Sequence, residues 1–581
     1  MSPSEQEITE RRSANYAPSI WTDAFIQSRT TEYLDEKYVE QAARLKERVR
    51  GLLVQKEGTL LSEQLELIDV LQRLGLSHHF DHEIQEILSA FNQKHHNNND
   101  DDDDNNNNMN LYQASLLFRL LRQQGYPIPQ GMFKMFLDDD GNFEKRHSED
   151  VKGVLSLYEA SYLGMEGEEI LEKAKQFCIH HLNSMLQAGG GHEEDEMWEE
   201  EVRHALEMPL HWRMPRLEAR HFIDVYQKRA DIKTEEIVEL AKLEYNMVQA
   251  VHLKELKELS KWHKDIQLAE AMGGFARSRL VAGLLWSVGV IPHPKYEYAR
   301  NILTKISEFV TMVDDVYDVY ATLREAETLT HAIQRWDVNA IEEEDLPSCV
   351  KVFLLALFNY VNQMVYDVLI QLGINVLPYL KQAWVGLAKA YLAEAKWYHG
   401  REKPSLKEYL DNGWVSISAP LVLTEAYVGM AVAAAAAGET TAENTKEKIA
   451  EDLQLLLEDQ TIIRYCATIF RLSDDLGTSS DEMERGDVPK AVQCHMNDNP
   501  AGCSEEDARG FIRGLIQDNW RKMNTWVVMT YQPRRHFFPD FVTAVLNLAR
   551  TSQLFYQYGD GVARQDDIVK QRMYSVFFHP I

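Results

Sequence analysis

The stretch Ile237–Leu259, IVELAKLEYNMVQAVHLKELKEL, sets apolar residues three and four apart at Ile237, Leu240, Leu243, Met247 and Val251, with Glu, Lys and Gln between them. At about 100° per residue these positions fall on one stripe, so the segment reads as an amphipathic helix. Val350–Leu372 repeats the pattern, and most of the chain shares it along with the Leu, Ala, Glu, Lys and Gln that favour helices. The fold class that follows is all-α. There is no clear run of alternating β-branched residues, no GxGxxG and no Walker loop, which disfavours nucleotide-binding α/β architectures. No internal repeat of fixed period is evident.

A chain of 581 residues exceeds one ordinary core and suggests about two to four domains. The 45% hydrophobic and 10% aromatic content reads as globular, and no uninterrupted apolar run reaches the length of a membrane span. A formal net charge of -30 disfavours nucleic acid and anionic membranes as partners. An anionic substrate would need cations gathered locally. Cys178, Cys349, Cys466, Cys494 and Cys503 are scattered and lack CxxC spacing, which fits a reducing compartment. Glu5, Glu7 and Glu10 follow Met1 closely, so neither a secretory leader nor an acid-poor transit peptide is expected in the chain as it stands.

The Asn97–Asn108 tract of Asn and Asp cannot bury apolar surface and reads as a loop. Asp100–Asp104 contains a DxDD pattern, but a catalytic acid needs a fixed, partly desolvated pocket that such a tract does not offer. Gly189–Gly191 marks a second loop. Met208–Arg220, interrupted by Pro209 and Pro215, is the expected junction between an N-terminal and a C-terminal helical domain.

Two acidic constellations carry the chemistry. In Asp314-Asp315-Val316-Tyr317-Asp318, within the helical run Ile306–Tyr320, Asp314 and Asp318 share a face and Asp315 sits beside them. Three carboxylates on one turn repel unless a cation joins them. In the second, Asp474, Thr478 and Glu482 are spaced i, i+4, i+8, which lines three hard oxygen ligands suited to Mg2+ along one stripe. Two cationic sets accompany them: Arg277 and Arg279 before the first motif, and Arg471 three residues before Asp474. Forked arginine donors match phosphate oxygens.

In these motifs the chain resembles plant terpene synthases, in particular the angiosperm group rich in monoterpene synthases. The residues that carry the resemblance are Arg11 and Arg12 followed by Trp21, the RxR form at Arg277 and Arg279, the DDxxD motif and the Asp474–Glu482 motif. The resemblance implies two helical-barrel domains, an N-terminal relic α-barrel over 21–220 and a class I terpenoid synthase fold over 221–581, with 1–20 as a capping segment. It implies a carbon–oxygen lyase acting on a prenyl diphosphate with three Mg2+ ions, Mn2+ being the alternative metal. Asp314, Asp315, Asp318, Asp474, Thr478 and Glu482 match metal positions, and Arg277, Arg279 and Arg471 match diphosphate contacts. Trp286 matches the aromatic facing the cation, Tyr556 and Asp560 a pair near the lid, and Arg11, Arg12 and Trp21 the cap. Ser278 departs from the family, where many relatives have Asp. The resemblance further implies a plastid location, with the cytosol as the alternative, and a monomer or homodimer.

The expected reaction is ionisation of the diphosphate followed by proton loss or water capture, giving an olefin or an alcohol. A trans-prenyltransferase would carry two DDxxD motifs, and a non-catalytic helical scaffold is the rival from another class. Substrate length rests on Ser307, two turns before Asp314. Isoprene synthases tend to place Phe there; Phe470 matches their pattern, whereas Ile417 and Lys490 stand where they usually carry Ser and Asn. The expectation is therefore geranyl diphosphate and a monoterpene such as ocimene, myrcene or linalool. Dimethylallyl and farnesyl diphosphate are the alternatives.

Overall fold

The structure, a computed structural model, describes residues 11, 16–54, 61–97, 109–188, 193–228, 235–343, 345–438, 442–485, 487–500, 502–531, 538–562 and 567–581. The Asn/Asp tract beyond Asn97 and the Gly189–Gly191 loop lie outside the described residues. Among those described no strand occurs, and the one bridge, Leu137 to Phe143, is isolated. The fold is all-helical, as the periodicity predicts.

The chain forms two compact units. One comprises residues 31–251, 517–535 and 575–581, the other residues 1–30, 252–516 and 536–574. The expected junction at Met208–Arg220 lies within the first of these units. Pro209 precedes the short turn Leu210–Trp212, and Pro215 takes the first position of the helix Pro215–Tyr226, where its missing N–H costs nothing. These prolines punctuate helices inside a unit. The division instead falls within the unbroken helix that contains Ile237–Leu259, a place that no breaker residue marks.

In the first of these units, α1 (Leu111–Gln123) packs on α2 (Val151–Ser161), and α2 packs on α3 (Glu169–Ala188). A capping box starts α1: Asn110 accepts from the Gln113 N–H, and the Gln113 side chain accepts from the Asn110 N–H. Leu117, Leu121, Leu157, Leu171 and Cys178 fill the core. Its buried charges are paired. Glu218 accepts from Arg73 and Arg213, and although burial opposes ionisation, those guanidinium charges hold its carboxyl well below the usual range.

In the other unit, α4 (Leu280–Val290) and α5 (Glu297–Asp315) are neighbours, and α5 packs on α6 (Ala419–Ala436). Gly429 permits the second approach, because a Cβ there would lie 2.8 Å from the Ala299 Cα. The helix α7 (Thr461–Arg485) packs against α8 (Pro539–Tyr556), which in turn contacts α4. A helix over Ser348–Leu372 and the segment Leu406–Ala436 are long and apolar enough to cross a membrane by composition alone. The second is the core of this unit: it is mostly buried and breaks at Ser418, whose φ is 67°.

Glu425, fully buried on α6, accepts hydrogen bonds from Trp384 Nε1 at 3.1 Å and Tyr360 Oη at 3.3 Å. Burial pushes its carboxyl up to about 8, only partly offset by those neutral donors. An unfolded glutamate loses its proton near about 4.3. Between these values the folded chain binds more protons than the unfolded one, so this group's stabilisation is full at low pH and is lost as pH rises through about 8. Glu425→Gln cannot ionise. Its melting temperature should fall less between about pH 5 and about pH 9 than that of the native chain, and parallel pH slopes in thermal unfolding would contradict this.

Candidate active site

The helix α5 ends in the aspartate motif, and the chain continues through a π-helical turn, Val316–Tyr320, closed by the Ala321 N–H bonding to the Val316 carbonyl at 2.8 Å. The expected uninterrupted α-helix thus widens by one residue within the motif, a distortion that recurs at functional sites. Asp314 and Asp318 line a large cavity. Asp315 does not. It is fully buried and turned to Arg277, accepting from that residue's backbone N–H at 2.6 Å and lying 2.8 Å from its guanidinium. Arg277 also donates to Asp314 at 2.6 Å, so one guanidinium bridges the adjacent carboxylates. The Asp318 carboxyl is driven well above the usual range by burial and by the charge of Asp314. A bound cation would reverse both effects.

The second motif lies on α7. Asp474 and Thr478 line the same cavity, with Arg471 donating to Asp474 at 3.0 Å. Asp475, like Asp315, turns inward: it is fully buried, accepting from Tyr409 Oη at 2.9 Å and from the Ala491 N–H at 3.0 Å. Gly477 within this motif has a spatial reason. A Cβ there would lie 3.0 Å from the carbonyl oxygens of Tyr556 and Gly559, so glycine lets α7 meet the end of α8 without either backbone giving way. That approach sets Tyr556 beside Asp474, and burial followed by the Asp474 charge pushes the phenol well above its usual pKa.

Between the motifs the cavity encloses about 1180 Å³, including its open mouth. Trp286 lies in its wall, stacked on Phe555 at 4.9 Å between ring centres and tilted against Phe470 at 4.9 Å. Arg279 lines the mouth and is held by carbonyls, donating to Val562 at 3.2 Å and to Ala17 at 2.9 Å. The donor set of Asp314, Asp318, Asp474 and Thr478 is hard oxygen, as Mg2+ requires, and the raised carboxyl of Asp318 fits a site that wants a cation.

Residues 264–522 match the terpene synthase family's metal binding domain, and residues 20–206 match the terpene synthase N-terminal domain. The (-)-alpha-terpineol synthase of Vitis vinifera is 45% identical, over 99% of this chain and 92% of that protein. Among solved structures, limonene synthase with 2-fluorolinalyl diphosphate matches with a TM-score of 0.90 at 40% identity, covering 98% of this chain and 100% of that one. The isoprene synthase of grey poplar (Populus x canescens), solved with three Mg2+ ions and dimethylallyl-S-thiolodiphosphate, matches with a TM-score of 0.83 at 38% identity, covering 97% and 99%.

The chain belongs to the terpene synthase family. Terpene synthases are lyases acting on prenyl diphosphates, and this one is such an enzyme. In this terpene synthase the cavity brings together Arg277, Arg279, Trp286, Ser307, Asp314, Asp318, Phe470, Arg471, Asp474, Thr478, Tyr556 and Asp560, which the sequence singles out from four separate regions. Ile417 and Lys490 line it as well. The backbone of Glu482 continues α7, but its side chain lies outside the described residues, as does Arg12. Arg11 is described. It pairs with Glu325 at 2.6 Å, donates to the Tyr320 carbonyl at 3.0 Å and sits 4.4 Å over the Tyr320 ring, so the N-terminal segment is fastened to the π-turn that follows Asp314. Trp21 packs on Tyr574 at 5.1 Å.

Sequence reasoning did not assign a role in the site to three charged lining residues of this terpene synthase. Lys490, in sequence only a marker of substrate length, is a buried cation whose charge partly offsets the rise at Asp318. Glu394, which accepts from Asn412 at 3.0 Å and from Ser416, stands near the Arg471 charge. Glu308 also lines the cavity and is almost fully buried. A single Lys or Glu carries no spacing signal, and only tertiary structure turns it toward the site.

Proposed function

We propose that this terpene synthase ionises geranyl diphosphate in the presence of Mg2+ and converts the resulting cation to a monoterpene. The observation that carries this reading is the depth of the cavity. Along α5 its lining runs from Asp314 through Thr311, Val310 and Ser307 to Leu303, and it also includes Val290 at the far end of α4. At about 1.5 Å per residue, Asp314 to Leu303 spans roughly 16 Å. A five-carbon tail held at the aspartate rim would leave that apolar floor empty. Relatives named for terpineol, myrcene, limonene and ocimene formation point the same way.

Asp314 and Asp318 on one side and Asp474, Thr478 and Glu482 on the other would hold Mg2+, which when bound supplies Lewis acidity to the departing diphosphate. Arg277, Arg279 and Arg471, with Lys490, neutralise the remaining charge of the leaving group. Trp286, fixed by Phe470 and Phe555, offers a π-face to the allylic cation, a contact worth about 2 kcal/mol when desolvated. Tyr556 and Asp560 flank the mouth. Arg11, Arg12 and Trp21 are assigned to a capping segment, a role supported by the Ala17 carbonyl that receives Arg279 and by the anchoring of Arg11 and Trp21; its function there would be to exclude water. Several relatives are named chloroplastic, which supports a plastid location.

Competition of geranyl and dimethylallyl diphosphate on the purified enzyme, read by headspace analysis with and without Mg2+, tests the proposal. The expected result is preferential consumption of geranyl diphosphate, by about tenfold or more in kcat/KM. Dominant isoprene release would replace it with the five-carbon reading, for which Phe470 is the one supporting residue.

A further inference from the structure

Resting on the diphosphate-binding role just given to Arg277 and Arg279, we propose that Glu308, backed by His263, is the positioning residue that orders the Arg277–Ser278–Arg279 segment.

This segment enters α4 without helical geometry, since Arg279 has φ -138° and ψ 41° and its own side chain caps nothing. Something else must fix it. Glu308 stands on α5, two turns before the aspartate motif, with 2% of its surface exposed. Its two carboxylate oxygens are both engaged on the segment: Oε1 accepts from the Arg279 backbone N–H at 2.8 Å, and Oε2 accepts from Ser278 Oγ at 2.9 Å. Ser278 Oγ also lies 2.7 Å from His263 Nε2, which is 3.4 Å from Glu308 Oε2. Because the serine proton goes to the carboxylate, the ring must donate to the serine oxygen, giving a chain from His263 through Ser278 to Glu308.

The segment is thus clamped at both ends by carboxylates of one helix. Asp315 holds the Arg277 backbone N–H, and Glu308 holds that of Arg279. Both clamps are buried, where a charge-assisted bond is strong and an unmade one costly. Ser278 stands between the two arginines, so the segment has no carboxylate of its own there. Glu308 supplies that charge from the facing helix, with the hydroxyl of Ser278 as the link.

The test uses the full chain and inorganic diphosphate with Mg2+, titrated calorimetrically, alongside steady-state turnover of geranyl diphosphate. Glu308→Ala and the volume-conserving Glu308→Gln should each weaken Mg2+-dependent diphosphate binding by about 10–100-fold, as expected when a clamped group shifts by about 1 Å; the Ala variant, which leaves two buried donors unmet, should also melt at a lower temperature, and the Gln variant much less so. Adding Ser278→Asp to Glu308→Ala should restore about tenfold or more of that binding, because the carboxylate returns to the segment itself. His263→Ala should weaken binding less than either Glu308 variant.

Wild-type affinity in Glu308→Gln would overturn the proposal. So would a double variant that binds no better than Glu308→Ala, since a purely structural Glu308 would not be rescued from residue 278. Should Glu308→Ala fail to fold, the Gln variant decides alone. Diphosphate binding that is intact in the native enzyme without any turnover would sink the functional reading and leave this inference standing. No binding at all would overturn both.

Discussion

Asp314→Ala is expected to lower kcat by roughly 10³-fold, about 4 kcal/mol of transition-state stabilisation, while helix content and melting temperature stay close to native. The carboxylate is at the cavity mouth and is the exposed member of its pair, so its removal leaves the buried contacts of Asp315 intact. Arg277 would keep its hold on Asp315 through the backbone N–H and the guanidinium, and the helix end would not come apart. What disappears is one of the two carboxylates whose mutual repulsion raises Asp318 and which a cation would relieve. The carboxyl of Asp318 should therefore fall in the metal-free variant yet stay above its ordinary range, because burial, the larger cause, remains. Single-turnover assays with geranyl diphosphate, with product analysis, check the rate. Activity within tenfold of native would remove Asp314 from the metal site.

Ser307→Phe should shift the ratio of kcat/KM for dimethylallyl over geranyl diphosphate upward by about 10²-fold. The serine hydroxyl is folded back onto its own helix, donating to the Leu303 carbonyl at 2.8 Å, so the wall there is low. Directly across stands Gly283 of α4, where even a single added carbon would meet Ser307 Cβ at 3.3 Å. A benzyl group cannot slip between the two helices at that spacing and must point into the cavity, closing off Leu303 and Val290. The far half of a ten-carbon tail would lose its place while the diphosphate end is untouched. Paired substrate competition on the variant measures the shift, and an unchanged ratio would mean that Ser307 does not set the depth.

How far the sequence could be read depends on the range of the signal. Helical spacing put Asp314 with Asp318 and Asp474 with Thr478, and all four line one cavity, because i and i+4 on a helix share a face in any tertiary context. Spacing could not say which member of each Asp-Asp pair would turn inward. That is decided by partners distant in sequence, Arg277 for Asp315 and Tyr409 with Ala491 for Asp475. Nor could it see the division of the chain inside a helix, since the two prolines that looked like a boundary suit turns as well as linkers. Glu308 shows the same limit: its partners lie 29 and 30 residues upstream, with no periodicity connecting them.

The interleaving of the two units also governs the order in which the enzyme can be made. Chains emerge from the ribosome at about 5–20 residues per second, and domains tend to fold as they appear. Here, residues 16–30 emerge early yet belong with residues 252–516 and 536–574, and the unit formed by 31–251 also takes up residues 517–535 and 575–581. The carbonyl of Ala17 can receive Arg279 once about half of the chain exists, but the Trp21 ring that meets Tyr574 must wait until that late residue has been added. Seating of Trp21 is then among the last events of biogenesis, and so is completion of the cavity wall, which takes Leu548, Tyr556 and Asp560 from the same late stretch.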